Sequence, residues 1–181
     1  FKFDREELKK SLRKIIDDTK LRYEKGESPV KKDAPRILIT GSPIGGCTNK
    51  IINTIEESGG SIVAYELCSS IRNNRELVDE NNPDIYDALA KKYLNIGCAC
   101  MMNNDKRIQL IDELIEEFKI DGVIDIALQS CHPFNVESNR IKEFVVNDKK
   151  IHYMAIETDY SQSDTEQLRT RFEAFIEMIE S

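Results

Sequence analysis

The sequence lacks three features that would assign it to well-known classes of protein. No stretch approaches the roughly 20 apolar residues of a membrane-spanning helix, and no secretory signal is visible. We therefore expect a cytoplasmic protein with no membrane contact. An initiator methionine is also missing, since Phe1 leads directly into a charged helical pattern. This start suggests a fragment of a longer protein.

An excess of basic residues is missing as well. The chain has 33 acidic and 26 basic residues and a net charge of −7. Proteins that bind nucleic acid neutralise phosphates with a basic surface, so we expect no nucleic-acid partner. The number of cysteines is odd, and no secretion signal accompanies them. A disulfide framework is therefore a poor explanation, and a reducing compartment is a better one.

What the sequence does contain is a regular alternation of strand and helix patterns after a predicted linker at residues 25–34. Such an alternation predicts an α/β domain, Rossmann-like or flavodoxin-like, in which a four-stranded parallel sheet has helices on both faces. The predicted strands are 36–40, 61–67, 123–128 and 151–156. The predicted helices are 4–24, 48–58, a short one from Pro83 to Tyr93, 105–119, 136–146 and one that Ser163 and Glu166 begin as a capping box.

The five cysteines fall on loops of this predicted sheet. Cys47 lies in the turn after the first strand, Cys68 directly follows the second, and Cys131 follows the third. Cys98 and Cys100 precede the helix that leads back to the third strand. All five are expected at the carboxyl ends of the strands, where α/β sheets bind ligands. Structural zinc sites usually have paired C-x2–4-C ligands, so iron–sulfur chemistry fits this spacing better.

The turn Gly41-Ser-Pro-Ile-Gly-Gly-Cys-Thr48 resembles a phosphate-binding loop between a strand and a helix. Cys47 occupies the place of the lysine that such loops use, so nucleoside triphosphatase activity is not expected. Ser42, Gly45 and Gly46 remain candidates for binding an anionic cofactor at the helix N-terminus. The alternative is that the glycines only permit a tight turn.

Several longer motifs carry a family resemblance. They are Gly41-Ser-Pro-Ile-Gly-Gly46, Glu66-Leu-Cys68, Ala90-Lys-Lys-Tyr-Leu-Asn-Ile-Gly-Cys-Ala-Cys100, Asp121-Gly-Val-Ile-Asp-Ile-Ala-Leu-Gln-Ser-Cys-His132, Glu157-Thr-Asp-Tyr160 and Gln167-Leu-Arg-Thr-Arg-Phe-Glu-Ala-Phe175. In this order they resemble the carboxy-terminal half of the 2-hydroxyglutaryl-CoA dehydratase D-component / benzoyl-CoA reductase family. The cysteine motifs are most similar to its double-cubane-cluster branch of ATP-dependent reductases.

The resemblance implies a two-lobed protein with an iron–sulfur cluster between its lobes. Residues 1–34 would then be a helix and linker from an absent amino-terminal lobe, and residues 35–181 the cluster-binding domain. Cys131 matches a cysteine that the family uses for a [4Fe–4S] cluster. Cys68, Cys98 and Cys100 match cysteines of the double-cubane branch, which carries an [8Fe–9S] cluster. Cys47 has no counterpart, and Ser42 stands where members often have cysteine.

The implied enzyme is an oxygen-sensitive reductase that accepts electrons from a separate ATP-hydrolysing activator and reduces a small molecule. One alternative is a 2-hydroxyacyl-CoA dehydratase subunit with a single [4Fe–4S] cluster, which would act on an acyl-CoA by radical dehydration, a lyase reaction. Another alternative is a non-catalytic anion-binding domain. The full-length protein is expected to be a dimer, and the fragment alone to be inactive. The sequence identifies no catalytic residue.

Overall fold

The computed structural model describes residues 4–181, which form two compact units divided between Ala34 and Pro35. The first unit contains one long helix, α1 (Arg5–Glu24). Asp4 caps this helix, because its carboxylate accepts hydrogen bonds from the backbone N–H groups of Glu6, at 2.8 Å, and Glu7. Within residues 4–181, no helix is both long enough and apolar enough to cross a membrane.

The second unit is built on a four-stranded, fully parallel sheet with the strand order β2-β1-β3-β4. Its strands are β1 (Arg36–Gly41), β2 (Ser61–Glu66), β3 (Gly122–Leu128) and β4 (His152–Thr158). Its helices are α2 (Thr48–Glu57), α3 (Ile71–Asn74), α4 (Ile85–Leu94), α5 (Asp105–Phe118), α6 (His132–Glu143) and α7 (Thr165–Glu180). All strands end at the same side of the sheet, which we call the carboxyl edge.

Apolar side chains of the sheet pack on both of its faces, so the unit has three layers. On one face, Ile37, Ile39 and Ile124 pack with side chains of α2 and α7 such as Phe172. On the opposite face, Leu38 packs with side chains of α5 and α6. Buried, near-continuous apolar strands are typical of parallel sheets that helices cover on both faces. The predicted α/β fold class is therefore confirmed.

Some predicted helix boundaries differ from the structure, for local physical reasons. Pro83 does not begin α4, because Asp84 caps it by accepting from the N–H of Tyr86. The predicted capping box of α7 does not form, because Asp164 occupies the cap position and its carboxylate binds Lys50. The predicted helix 136–146 begins earlier, at His132, and ends in a π-helical turn, Phe144–Asp148.

Candidate functional site

Four cysteines lie on loops at the carboxyl edge. Cys68 follows β2, Cys131 directly precedes α6, and Cys98 and Cys100 lie in the loop before α5. Cys100 is exposed and the other three are partly exposed. The Sγ atoms of Cys98 and Cys100 are 3.4 Å apart, and the hydrogen bond with Cys98 raises the pKa of the Cys100 thiol. These four thiols are accessible from one side of the domain.

Cys47 differs from the other four cysteines. It is fully buried in the apolar core between the sheet and α2, and its Sγ donates to the backbone oxygen of Ile44 at 3.1 Å. Burial raises the pKa of this thiol. Because a buried, protonated thiol is a small apolar side chain, Cys47 belongs to the core. Cys47 thus lies in the turn after β1, as expected, but its buried side chain does not join the other four.

A buried ion pair lies directly beneath Cys68. Glu66, the last residue of β2, accepts hydrogen bonds from Nε and Nη2 of Arg72 on the short helix α3. Only 1 % of the Arg72 side chain and none of the Glu66 side chain are exposed. Burial alone would lower the pKa of Arg72, but the hydrogen bonds and the charge of Glu66 outweigh this effect. The pKa is raised overall, so the guanidinium stays charged. Its Nη1 donates to the Sγ of Cys68 at 3.2 Å.

A second buried arginine, Arg107 on α5, extends this pair into a network. Its Nε donates to Glu66 at 3.2 Å, its Nη2 donates to the Thr40 hydroxyl at 2.8 Å, and its Nη1 binds Glu137. Thr40 in turn donates to Glu66 at 2.5 Å. A buried charge is stable only when it is paired and hydrogen-bonded, and here every charged group meets that condition. The network joins β1, β2, α5 and α6 beneath the thiols.

Both guanidinium groups also lie over the same aromatic ring. The Cζ atoms of Arg72 and Arg107 are 5.3 Å and 4.9 Å from the centroid of the Phe134 ring. Phe134 is buried on α6, three residues after Cys131. Cation–π contacts of this kind are strongest where water is excluded. They connect the start of α6, and with it the Cys131 loop, to the loop that carries Cys68.

The glycine-rich turn is held against β3 by its serine. Ser42 is fully buried, its N–H and hydroxyl donate to the backbone oxygen of Ile126, and its Oγ accepts from the N–H of Leu128. The hydroxyl of Ser42 is therefore already engaged within the protein. A Cβ at Gly45 would meet nothing within 4 Å in the described part of the chain, whereas one at Gly46 would touch the Tyr160 ring at 3.0 Å.

A buried lysine on α2 ties the loop after β4 to the sheet. The Nζ of Lys50 lies within 3.0 Å of four oxygens, and its side chain is fully buried. These oxygens belong to the hydroxyl of Thr158, the backbone of Asp159 and Ser161, and the carboxylate of Asp164. Lys50 therefore fixes the loop whose Tyr160 covers the glycine-rich turn.

The four edge cysteines suit an iron–sulfur group in the chemistry of their donors. Thiolates are the usual ligands of such clusters, and hydrogen bonds to the ligand sulfurs help to set their potentials. Cys68 already receives such a bond from Arg72. Within residues 4–181, no three His, Cys, Asp or Glu side chains are grouped around one point as a single ion would require. The cysteines therefore fit an iron–sulfur group by the type of donor atom and by their place at an accessible edge.

The network beneath the thiols contains the site residues that sequence reasoning missed. A charged residue within an apolar strand is a signal that could have identified Glu66, because such a residue must find a buried partner. The partners themselves, Arg72 and Arg107, carry no comparable signal among 26 basic residues. Phe134 likewise gives no sign in the sequence that it lies beneath two guanidinium groups.

Comparison with known proteins identifies the family of the chain. A family model described as "2-hydroxyglutaryl-CoA dehydratase, D-component" matches residues 1–179. Over 179 residues the chain is 46 % identical to the Escherichia coli (strain K12) protein named "Putative dehydratase subunit YjiM", covering 99 % of this chain and 46 % of that protein. Over 177 residues it is 28 % identical to the (R)-phenyllactyl-CoA dehydratase beta subunit of Clostridium sporogenes, covering 97 % and 45 %. The chain thus spans less than half the length of either relative, and it belongs to the 2-hydroxyglutaryl-CoA dehydratase D-component family.

Proposed function

We propose that this chain is the iron–sulfur half of a low-potential reductase that receives electrons from an ATP-hydrolysing activator protein and reduces a small molecule. The observation that carries the proposal is the set of four accessible thiols on three loops of the carboxyl edge. A buried guanidinium that donates to one of these thiols supports it. Membership of a family of dehydratase components supports an enzymatic role within a larger assembly.

In this proposal Cys131, Cys68, Cys98 and Cys100 hold the cluster, a single [4Fe–4S] or a double cubane. A bound cluster of this kind supplies one-electron transfer at low potential. The residues of this chain hold the ligand loops in place through the buried arginine network. The turn with Ser42, Gly45 and Gly46 follows β1 at the same edge and offers backbone N–H groups to an anionic part of a bound molecule. Ser42 itself holds the turn against β3.

A second candidate function is a subunit of a 2-hydroxyacyl-CoA dehydratase with a single [4Fe–4S] cluster. The names of both relatives favour it, since each describes a dehydratase subunit. In this case Cys131 is the ligand from this chain, and the substrate is an acyl-CoA. Both candidates place the protein in the cytoplasm, as a dimer that works with a separate activator.

Anaerobic reconstitution of the complete polypeptide that contains this chain tests the proposal. We expect at least about four irons per chain, the content of one cubane, with the absorption and electron paramagnetic resonance of an iron–sulfur cluster. An iron content clearly below one cubane would overturn it.

Serine substitutions separate the two candidates. If Cys68→Ser, Cys98→Ser and Cys100→Ser each reduce the iron content, the three thiols are cluster ligands and the reductase is favoured. If all three variants keep the full wild-type iron content, the dehydratase with a single cluster is favoured. Cys47→Ala is the matched control, because this buried thiol should not affect iron binding in either case.

A further inference from the structure

Arg72 is a buried arginine at the carboxyl edge that contacts one of the edge cysteines. It lies on the four-residue helix α3, four residues after Cys68, and its side chain turns inward until only 1 % of it is exposed. Burying a guanidinium is costly unless its donors are satisfied. The hydrogen-bond partners of its five N–H groups must therefore offset the cost of burying it.

Those N–H groups connect the ends of two neighbouring strands. Nη2 donates to the backbone oxygens of Gly41, at 3.2 Å, and of Glu66, at 2.9 Å, while Nη1 donates to Cys68 Sγ at 3.2 Å. The rigid, planar fork of arginine makes such simultaneous contacts possible, whereas lysine has a single ammonium group. Arg72 therefore fixes Cys68 relative to the turn after β1.

Arg107 provides a built-in comparison. It shares the partner Glu66 and the Phe134 ring with Arg72, and it is equally buried. Its remaining donors go to Thr40 and Glu137. Within the described part of the chain, Arg72 donates to a thiol and Arg107 does not. Two cations with almost the same surroundings thus differ in their contact with a proposed ligand sulfur.

We propose that Arg72 is a positioning residue that raises the reduction potential of the iron–sulfur group held by Cys68. Reduction adds negative charge, and a positive charge with an N–H aimed at the ligand sulfur stabilises the reduced form more than the oxidised form. Arg72 also holds the Cys68 loop in place through Gly41 and Glu66. This inference rests on the proposed function, because it requires that Cys68 carries the cluster.

The test is an anaerobic redox titration of the reconstituted complete polypeptide, followed by electron paramagnetic resonance, with the iron content measured in parallel. Arg72→Met removes the charge and all donors, whereas Arg72→Lys keeps the charge but loses the fork. At the wild-type midpoint potential, we expect Arg72→Met to lower the ratio of reduced to oxidised cluster at least about tenfold, which equals ~59 mV for a one-electron couple. For Arg72→Lys we expect a ratio between those of the wild type and Arg72→Met. Arg107→Met should change the ratio by much less than Arg72→Met does.

The possible outcomes are distinguishable. If Arg72→Met and Arg72→Lys keep their iron and the wild-type potential, or if Arg107→Met shifts the potential as much as Arg72→Met, the inference is overturned while the proposed function stands. If both Arg72 variants lose iron and Arg107→Met does not, Arg72 supports the site only structurally and the claim about the potential fails. If the wild type takes up no iron, the proposed function is wrong and this inference falls with it.

Discussion

Replacing Asp125 with asparagine tests the protonation state of a carboxyl group in the centre of the sheet. Asp125 lies on β3 with 1 % of its surface exposed, and its Oδ2 is 2.9 Å from the hydroxyl oxygen of Tyr153. The same hydroxyl is 3.0 Å from the backbone oxygen of Ser138. A tyrosine hydroxyl has one proton and a carbonyl oxygen can only accept. If Tyr153 gives its one proton to Ser138, it can accept a second hydrogen bond from a protonated Asp125, so this geometry favours the protonated carboxyl group.

The direction of the pKa shift of Asp125 agrees with this proton count. Burial raises the pKa of Asp125 above its ordinary value of 3.8, and the nearby charge of Glu66 raises it further, while Arg107 and the hydrogen bonds of Ser138 and Tyr153 act in the opposite direction. Arg72 and Arg107 are already balanced by Glu66 and Glu137. If Asp125 is neutral, the two positive charges of the arginines equal the two negative charges of Glu66 and Glu137.

The sign of the stability effect follows from linkage. When the folded protein holds a proton that the unfolded chain has released, the free energy of unfolding decreases as the pH rises above the unfolded pKa. Each unit by which the folded pKa of Asp125 exceeds 3.8 costs about 1.4 kcal/mol at neutral pH. Asparagine has nearly the same shape, is neutral at every pH, and its Nδ2 can donate to Tyr153. Asp125→Asn should therefore match or exceed the wild-type stability at pH 7.

Denaturant unfolding of the wild type and Asp125→Asn at a series of pH values from 4 to 8 measures this difference. We expect the advantage of the variant to grow as the pH rises. Asp164→Asn is the matched control with the opposite sign, because Lys50 and Thr158 lower the pKa of Asp164 in spite of the desolvation that raises it. If Asp125→Asn instead loses about 3–5 kcal/mol at pH 7, as expected for breaking a buried charge pair, Asp125 is ionised and the reasoning is refuted.

Three further predictions concern the scaffold and can be checked by denaturant unfolding. Gly41→Ala should destabilise the fold by more than about 4 kcal/mol, because Gly41 has φ 121° and a Cβ there would lie 2.0 Å from a backbone oxygen of β3. Gly45→Ala is the control: a Cβ at Gly45 meets open space in the described structure, so this change should cost about 0.5 kcal/mol or less. Lys50→Met should cost about 3 kcal/mol at pH 7. This cost should shrink only as the pH falls below the ordinary carboxyl pKa of 3.8 toward the lowered pKa of Asp164, where its stabilising charge is lost. Cys47→Ala should cost roughly 1–2 kcal/mol and leave the iron content unchanged; a loss of iron would contradict its assignment to the core.

The sheet could be predicted because its signal is repeated along the chain. Each strand is a short apolar run, and each is followed by a helix whose apolar residues recur at helical spacing. Parallel topology then brings the loops after the strands to one edge, so the positions of Cys68 and Cys131 follow from counting strands. The fold class and the location of the edge thiols therefore required no knowledge of side-chain contacts.

The finer features depend on competition between neighbours, which a single sequence does not resolve. Ser163 and Glu166 form a plausible capping box, but the adjacent Asp164 takes the cap position because Lys50 from a distant helix binds its carboxylate. Cys47 has the same spacing after its strand as a site residue would have, yet its side chain turns into the core. Such choices are made by tertiary packing.

The buried arginine network has a consequence for the polypeptide itself. Among residues 4–181, the two apolar cores include Cys47 but none of the four edge cysteines. The loops that carry those cysteines are held by Glu66, Arg72 and Arg107 instead. A small metallo-domain such as a zinc finger unfolds when its metal is removed, whereas the contacts of this framework are made within the chain itself. We therefore expect the domain to stay folded when whatever the thiols hold is damaged, and to be able to bind a new group.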